Sequence, residues 1–201
     1  MSRYPAERKP ETRAKIVAAA ERLIKARGAQ GASVEAVMRE AGLTVGGFYA
    51  HFPSKEALVD EALLAGVERS LGRILAGLED ASPRDFARAL IRRYLAQACD
   101  ADLGAACPLT LLLPEVARAD DACRQAFAQR TAHLIARVET RLPQVPGMAP
   151  RDVALALFAA LAGAVAFART AATTRGRDRI LAATQASLER WLGLSDDARG
   201  A

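Results

Sequence analysis

The sequence predicts an all-α protein of about nine helices, with a three-helix helix-turn-helix domain at residues 1–55 and a larger helical domain at 56–201. Three observations carry this. Apolar residues recur at helical spacing along most of the chain, and no alternating run reads as a strand. Composition agrees: of 201 residues 51% are hydrophobic and only 5% aromatic, with Ala, Leu and Arg dominant, which gives enough apolar side chains for a real core of helices. Glycine, proline and capping residues punctuate the periodic stretches, and no internal repeat or low-complexity tract interrupts them.

Residues 11–28 put Ile16, Val17, Ala20, Leu23 and Ile24 on one face, and Gly28 supplies the C-terminal left-handed residue. Ser33 suits the N-cap of a short second helix, with Glu35 at the positive end of its dipole, Val34, Val37, Met38 and Ala41 inward, and Gly42 ending it. Thr44 caps a third helix that runs through Phe52, where Pro53 stops it. Ser54 starts a long helix from Lys55 to about Glu79. Ser82-Pro83-Arg84-Asp85 combines a cap, an N1 proline and an N3 carboxylate, and opens a helix to about Asp100. Cys107 to Arg118 reads as a short or broken helix between Pro108 and Pro114, followed by a helix over 120–142. Pro150 opens a helix to about Ala172; after Arg175-Gly176 a last helix extends to Leu192 and stops at Gly193.

Charge and cysteine usage narrow the function. Met1 to Lys55 holds ten Lys and Arg against five Asp and Glu, whereas the remainder holds eighteen of each, so the whole net charge of +5 sits in the first quarter. Such concentration is the footprint of a polyanion binder. Three cysteines, Cys99, Cys107 and Cys123, with no apolar leader before them, read as thiols of a cytoplasmic protein. The run Val153 to Ala168 is apolar for sixteen residues, short of the roughly 20 a membrane span needs, and its Ala and Gly content suits a buried or interface helix.

The chemistry gathers in "GLTVGGFYAHFPSKEALV", residues 42–59. Two short helices joined through Ala41-Gly42-Leu43 after a longer one make a helix-turn-helix. Val45, Phe48 and Phe52, at i, i+3 and i+7, point at the first two helices; Gly46, Gly47, Tyr49 and Ala50 are left outward. Glycine at the head of such a helix lets backbone approach a duplex closely, at a cost in helix propensity. The phenol of Tyr49 and the imidazole of His51 can donate to phosphate oxygens, and Lys55 adds a positive charge.

The run "TRAKIVAAAERLIKARGAQGASVEAVMREAGLTVGGFYAHFPSKEALVDEAL", residues 12–63, resembles the TetR-type bacterial transcriptional regulators, most specifically at Tyr49-Ala50-His51-Phe52 and Ser54-Lys55-Glu56-Ala57-Leu58. The resemblance implies a homodimeric repressor at the nucleoid: three N-terminal helices bind operator DNA, and a helical body binds a small effector and dimerises through its last two helices. By the same analogy Thr44, Tyr49, His51 and Lys55 contact DNA, with Val45, Gly46 and Gly47 at the head of the reading helix, while Ser33 and the basic residues near Arg13 meet the backbone. "CPLTLLLPEVARADDACR" resembles a run of some members in which a cysteine precedes Leu at +5 and Glu at +8, here Cys107, Leu112 and Glu115, although Ala106 stands where those members have Gly. Some relatives of that type sense electrophiles or oxidants through the thiol; the plainer reading of Cys107 is a small buried hydrophobe.

In the body, Tyr94, Cys107, Leu112 and Phe127 are the candidate effector-lining residues. The dimer seam is expected along 150–172 and 177–192, with Leu181, Leu188, Trp191 and Leu192. Two other functions compete. A thiol-dependent enzyme using Cys107 with His133 lacks a third group to orient the histidine, a phosphate loop or a metal-binding spacing, so neither catalysis nor a cofactor is expected. A non-specific DNA architectural protein explains the basic quarter but gives the neutral body no task.

Overall fold

The computed structural model describes residues 8–28, 31–96, 113, 116–118 and 121–195. Among the described residues there are α-helices α1 (Arg8–Arg27), α2 (Val34–Glu40), α3 (Lys55–Leu75), α4 (Pro83–Ala96), α5 (Asp121–Glu139), α6 (Pro150–Arg169) and α7 (Thr174–Trp191), with one 3-10 segment, Val45–Ala50, and no strand. The all-α expectation holds. The chain divides into two compact units, the first running to Ser70 and the second taking up the chain at Leu71.

In the first unit α1 turns its expected face inward. Ile16, Val17, Ala20 and Ile24 are buried together with Ala19, while Leu23 is half-buried. Ser33 caps α2 by accepting from the Ala36 amide at 3.2 Å. The end of α2 follows from Gly42, whose φ of 72° lies in the left-handed region. That turn lets Leu43 N–H reach the Met38 carbonyl at 2.8 Å and Gly42 N–H the Arg39 carbonyl at 3.1 Å, which satisfies carbonyls the helix end leaves open. Val37 and Met38 from α2, Phe48 and Phe52 from beyond the turn, and Leu58 and Ala62 from α3 complete the core. Burying each of the larger of these side chains contributes about 1.5–3 kcal/mol.

Two ion pairs fix α3 alongside α1. Arg13 pairs with Glu61 and Glu21 pairs with Arg69, each across 48 positions. The equal offset means that the two helices run side by side in the same direction. Glu21 is buried and also holds Lys25 at 2.6 Å, so its carboxylate has two cationic partners.

The second unit packs α6 against α5 and α7, with α4 against α6 and α7. Ser82 and Asp85 form the expected start of α4: the Asp85 amide donates to the Ser82 hydroxyl at 3.2 Å, and that hydroxyl donates to the Asp85 carboxylate at 2.6 Å. Helix α6 buries Val153, Ala154, Leu157, Phe158, Leu161, Ala162, Ala164, Val165 and Ala168. Its 20 residues, with an 18-residue window of mean hydropathy 1.7, are long and apolar enough to cross a membrane by length and composition alone, a test that core helices also pass. Half of that window is buried inside the protein, however, as a core helix requires.

Four boundaries differ from expectation, one of them the end of α5 at Glu139 instead of 142. Helix α3 stops at Leu75, before Gly77 with its φ of 71°. Arginines from elsewhere in the unit take up the freed carbonyls: Arg93 donates to Ile74 and Ala76 at 2.8 and 2.7 Å, and Arg141 donates to Leu78 and Glu79. Helix α6 ends at Arg169, and α7 begins at Thr174, with Gly176 inside its first turn. The cause is Thr173, whose hydroxyl accepts from the Gly176 amide at 3.1 Å and sets the cap earlier than the glycine suggested.

Candidate nucleic-acid interface

The third element of the head is a six-residue 3-10 segment, Val45–Ala50, and not an α-helix running to Phe52. Gly46 and Gly47 are poor helix formers, and a 3-10 turn is the form such short pieces take. Thr44 precedes it in extended conformation, yet its hydroxyl makes no capping hydrogen bond. The backbone does the work instead, with Gly47 N–H donating to the Thr44 carbonyl at 3.1 Å and Phe52 N–H donating to that of Phe48 at 3.0 Å.

Aromatic packing fixes which side chains face out. Phe48 is 0% exposed and stacks on Phe52 at 5.8 Å, with Tyr49 edge-on at 5.2 Å. Tyr49 is nevertheless 72% exposed, as expected, and Gly46 and Ala50 are exposed with it. Val45 departs from the inward role its spacing gives it: at 43% exposure it faces out at the head of the segment. The i, i+3 rule assumes a helix longer than this one, and only Phe48 and Phe52 reach the core.

Arg13 sits in the middle of this unit. Its guanidinium donates to both carboxylate oxygens of Glu61, one at 3.1 Å, donates to the His51 carbonyl, and lies 4.0 Å from the centre of the Phe52 ring. One side chain therefore joins α1, the end of the 3-10 segment and α3. Sequence spacing carries no signal for this, because Glu61 pairs across 48 positions. Ser33 is half-buried with its hydroxyl engaged at the α2 cap. Lys55 opens α3, half-buried, and its charge helps to lower the pKa of Glu35 and Glu56, after the backbone and serine hydrogen bonds of those carboxylates.

His51 follows the segment, half-buried, with Nδ1 enclosed and unpartnered. Desolvation, then the charges of Lys9 and Arg13, lower its pKa below the usual 6.5. The neutral ring is thus the folded form. Below about pH 6.5 the unfolded chain takes up the proton first, so stability from neutral His51 is complete above that value and falls as pH drops toward the folded pKa. Urea midpoints should fall between about pH 7.5 and 5.5, and His51→Gln should flatten that slope.

Of the effector candidates, Tyr94 is buried in α4 with its ring 6.1 Å from that of Phe158, and Phe127 is half-buried in α5. Cys107 and Leu112 lie outside the described residues, as does Cys99. His133 is exposed, with Nδ1 3.1 Å from the Gln129 carbonyl oxygen one turn back. The expected seam residues Leu181, Leu188 and Leu192 are buried in the chain's own core. The outward faces are different: Leu155, Ala156, Ala159, Gly163, Ala166 and Phe167 on α6, and Ala182, Ala183 and Ala186 on α7. An inward and an outward apolar face give the same sequence pattern, and packing against α4 and α5 decides between them.

Comparison with known proteins agrees with this architecture. The pattern of the bacterial regulatory proteins, tetR family, matches residues 16–62. The HTH-type transcriptional regulator UidR of Escherichia coli is 35% identical over 68 residues, covering 34% of this chain and 35% of the relative. The match thus spans about a third of the length of its curated relatives. In fold, the chain is similar to reduced NemR of E. coli (TM-score 0.71, 24% identity, 87% of this chain and 95% of that one). It is also similar to a TetR-family transcriptional regulator from Cytophaga hutchinsonii (0.75, 19%, 95% and 97%). A regulator from Saccharomonospora viridis, solved in complex with choline, aligns at 0.71 with 19% identity over 90% and 96%. Residues 16–62 thus match the tetR family of bacterial regulatory proteins, and the chain as a whole is similar in fold to TetR-family regulators.

Proposed function

We propose that this protein is a ligand-responsive transcriptional regulator, a homodimeric repressor released from a palindromic operator by a small, largely apolar or electrophilic effector. Residues 1–55 form the DNA-binding domain and 56–201 the effector-binding and dimerisation domain. The observation that carries this reading is Tyr49, 72% exposed on a segment locked by buried Phe48 and Phe52, within the quarter of the chain that holds all the net charge. Thr44, Val45, Gly46, Gly47 and Tyr49 meet the groove, and His51 and Lys55 meet phosphates beside it, with Ser33 at the backbone. Arg13, engaged by Glu61 and the His51 carbonyl, contributes by holding the segment.

The exposed small-residue faces of α6 and α7 support a two-fold seam, because Ala and Gly let backbones approach closely across it. A dimer sets two reading heads at a fixed spacing, and an effector that favours another spacing releases the operator. A regulator with this fold was solved in complex with choline, which supports a small-molecule ligand for this chain; Tyr94, Phe127, Cys107 and Leu112 are the candidates in the helical body. The protein acts in the cytoplasm, at the nucleoid.

Tyr49→Ala tests the reading. Operator affinity should fall about tenfold or more, with helicity, melting temperature and oligomeric state unchanged. Unaltered affinity removes Tyr49 from the interface. Binding that weakens with salt but prefers no palindrome favours the architectural alternative instead.

A further inference from the structure

The segment that faces out from the head is unusually poor in polar side chains. Between Thr44 and Ala50 there is no Arg, Lys, Asn, Gln, Asp or Glu, the residues that pair in bidentate fashion with guanine or adenine edges. What remains on its surface is the branched side chain of Val45, the methyl of Ala50, the Tyr49 ring, and the hydroxyls of Thr44 and Tyr49. Val45 is stiff at χ1, so its two methyls are held in place before any partner arrives.

Gly46, beside Val45, is the second observation. Its φ is not in the positive region, so its backbone does not require glycine. A Cβ built there meets nothing within 4 Å, so the protein's own packing does not require glycine either. The residue gives up helix propensity for no internal gain. Bare backbone at an exposed position, next to an exposed branched aliphatic, fits a partner surface that comes close and is itself apolar at one point. In the major groove the one such feature is the 5-methyl of thymine.

We propose that Val45 is a specificity-determining residue that reads a thymine in each operator half-site through its 5-methyl group, and that Gly46 is small so that the strand can come within contact of it. This deepens the DNA-reading proposal and rests on it. The segment makes no bidentate hydrogen bond at these bases, so purine identity there is read through shape.

The test uses the full chain and a fragment selected from random DNA by the purified protein. Each thymine of the half-site is replaced in turn by deoxyuridine, which deletes the methyl and leaves the pairing edge intact, and the dissociation constant is measured at fixed salt. Replacing that thymine in one half-site should weaken wild-type binding about fourfold, and in both half-sites about sixteenfold, the effect of one and two buried methyl groups. Val45→Ala should bind the thymine operator more weakly and the deoxyuridine operator equally well. Gly46→Ala should lose affinity for both without losing thermal stability. A protein that selects an operator yet ignores every thymine methyl, or a Val45→Ala variant that still discriminates, overturns the assignment and leaves DNA reading standing. Unaltered affinity in Gly46→Ala overturns the close approach. Failure to select any sequence removes both proposals together.

Discussion

Phe48→Ala is expected to cost about 3–5 kcal/mol of folding stability, the usual penalty for truncating a buried phenylalanine, and to abolish operator binding with it. The ring is wholly buried, stacks on Phe52, and carries Tyr49 edge-on, so its removal leaves a cavity under the whole reading segment. Domains of this size are commonly stable by only about 5–15 kcal/mol, so the loss is a large share of the total. Denaturant melts with far-UV circular dichroism measure it. The contrast with Tyr49→Ala is informative: the neighbouring aromatic should cost binding and little stability, because most of its surface is exposed. A Phe48→Ala protein that melts like wild type would mean that the segment is held by something other than its aromatic pair.

The second large effect is expected at Gly163. It lies on the exposed face of α6, and a Cβ there meets nothing within 4 Å, so arginine can be placed without disturbing the monomer. If that face is the seam, a two-fold axis brings two such arginines into a small-residue interface, where each cation is stripped of water without a partner. Sedimentation or light scattering should find a folded single subunit, and operator affinity should collapse because the two heads are no longer coupled. Ala162→Arg is the control with the opposite signature: that alanine is buried against the protein's own core, so the same side chain one position earlier should unfold the unit. A Gly163→Arg variant that remains a dimer places the seam elsewhere.

These two positions mark how far the sequence could be read. Ala162 and Gly163 stand in one apolar run, and nothing in that run tells the inward residue from the outward one until α4, α5 and α7 are in place. The same ambiguity put Leu181, Leu188 and Leu192 at the expected seam when they fill the core, and pointed Val45 inward when it faces out. Arg13 was legible as a cation but not as a clamp, because a guanidinium's partner 48 positions away leaves no mark in the local pattern.

Apart from the 3-10 form of Val45–Ala50, the sequence was readable wherever structure is settled within about one helical turn: the α-helices, the serine caps at Ser33, Ser54 and Ser82, the stop at Gly42, and the exposure of Tyr49. These follow from backbone hydrogen bonds and side-chain spacing between residues that are neighbours in any context. Tertiary structure alone decided which apolar stripe turns inward, which charges find each other, and where α3 ends beside Arg93 and Arg141. Burial and ion pairing depend on what lies across a gap in space, and that is fixed only when the helices have packed.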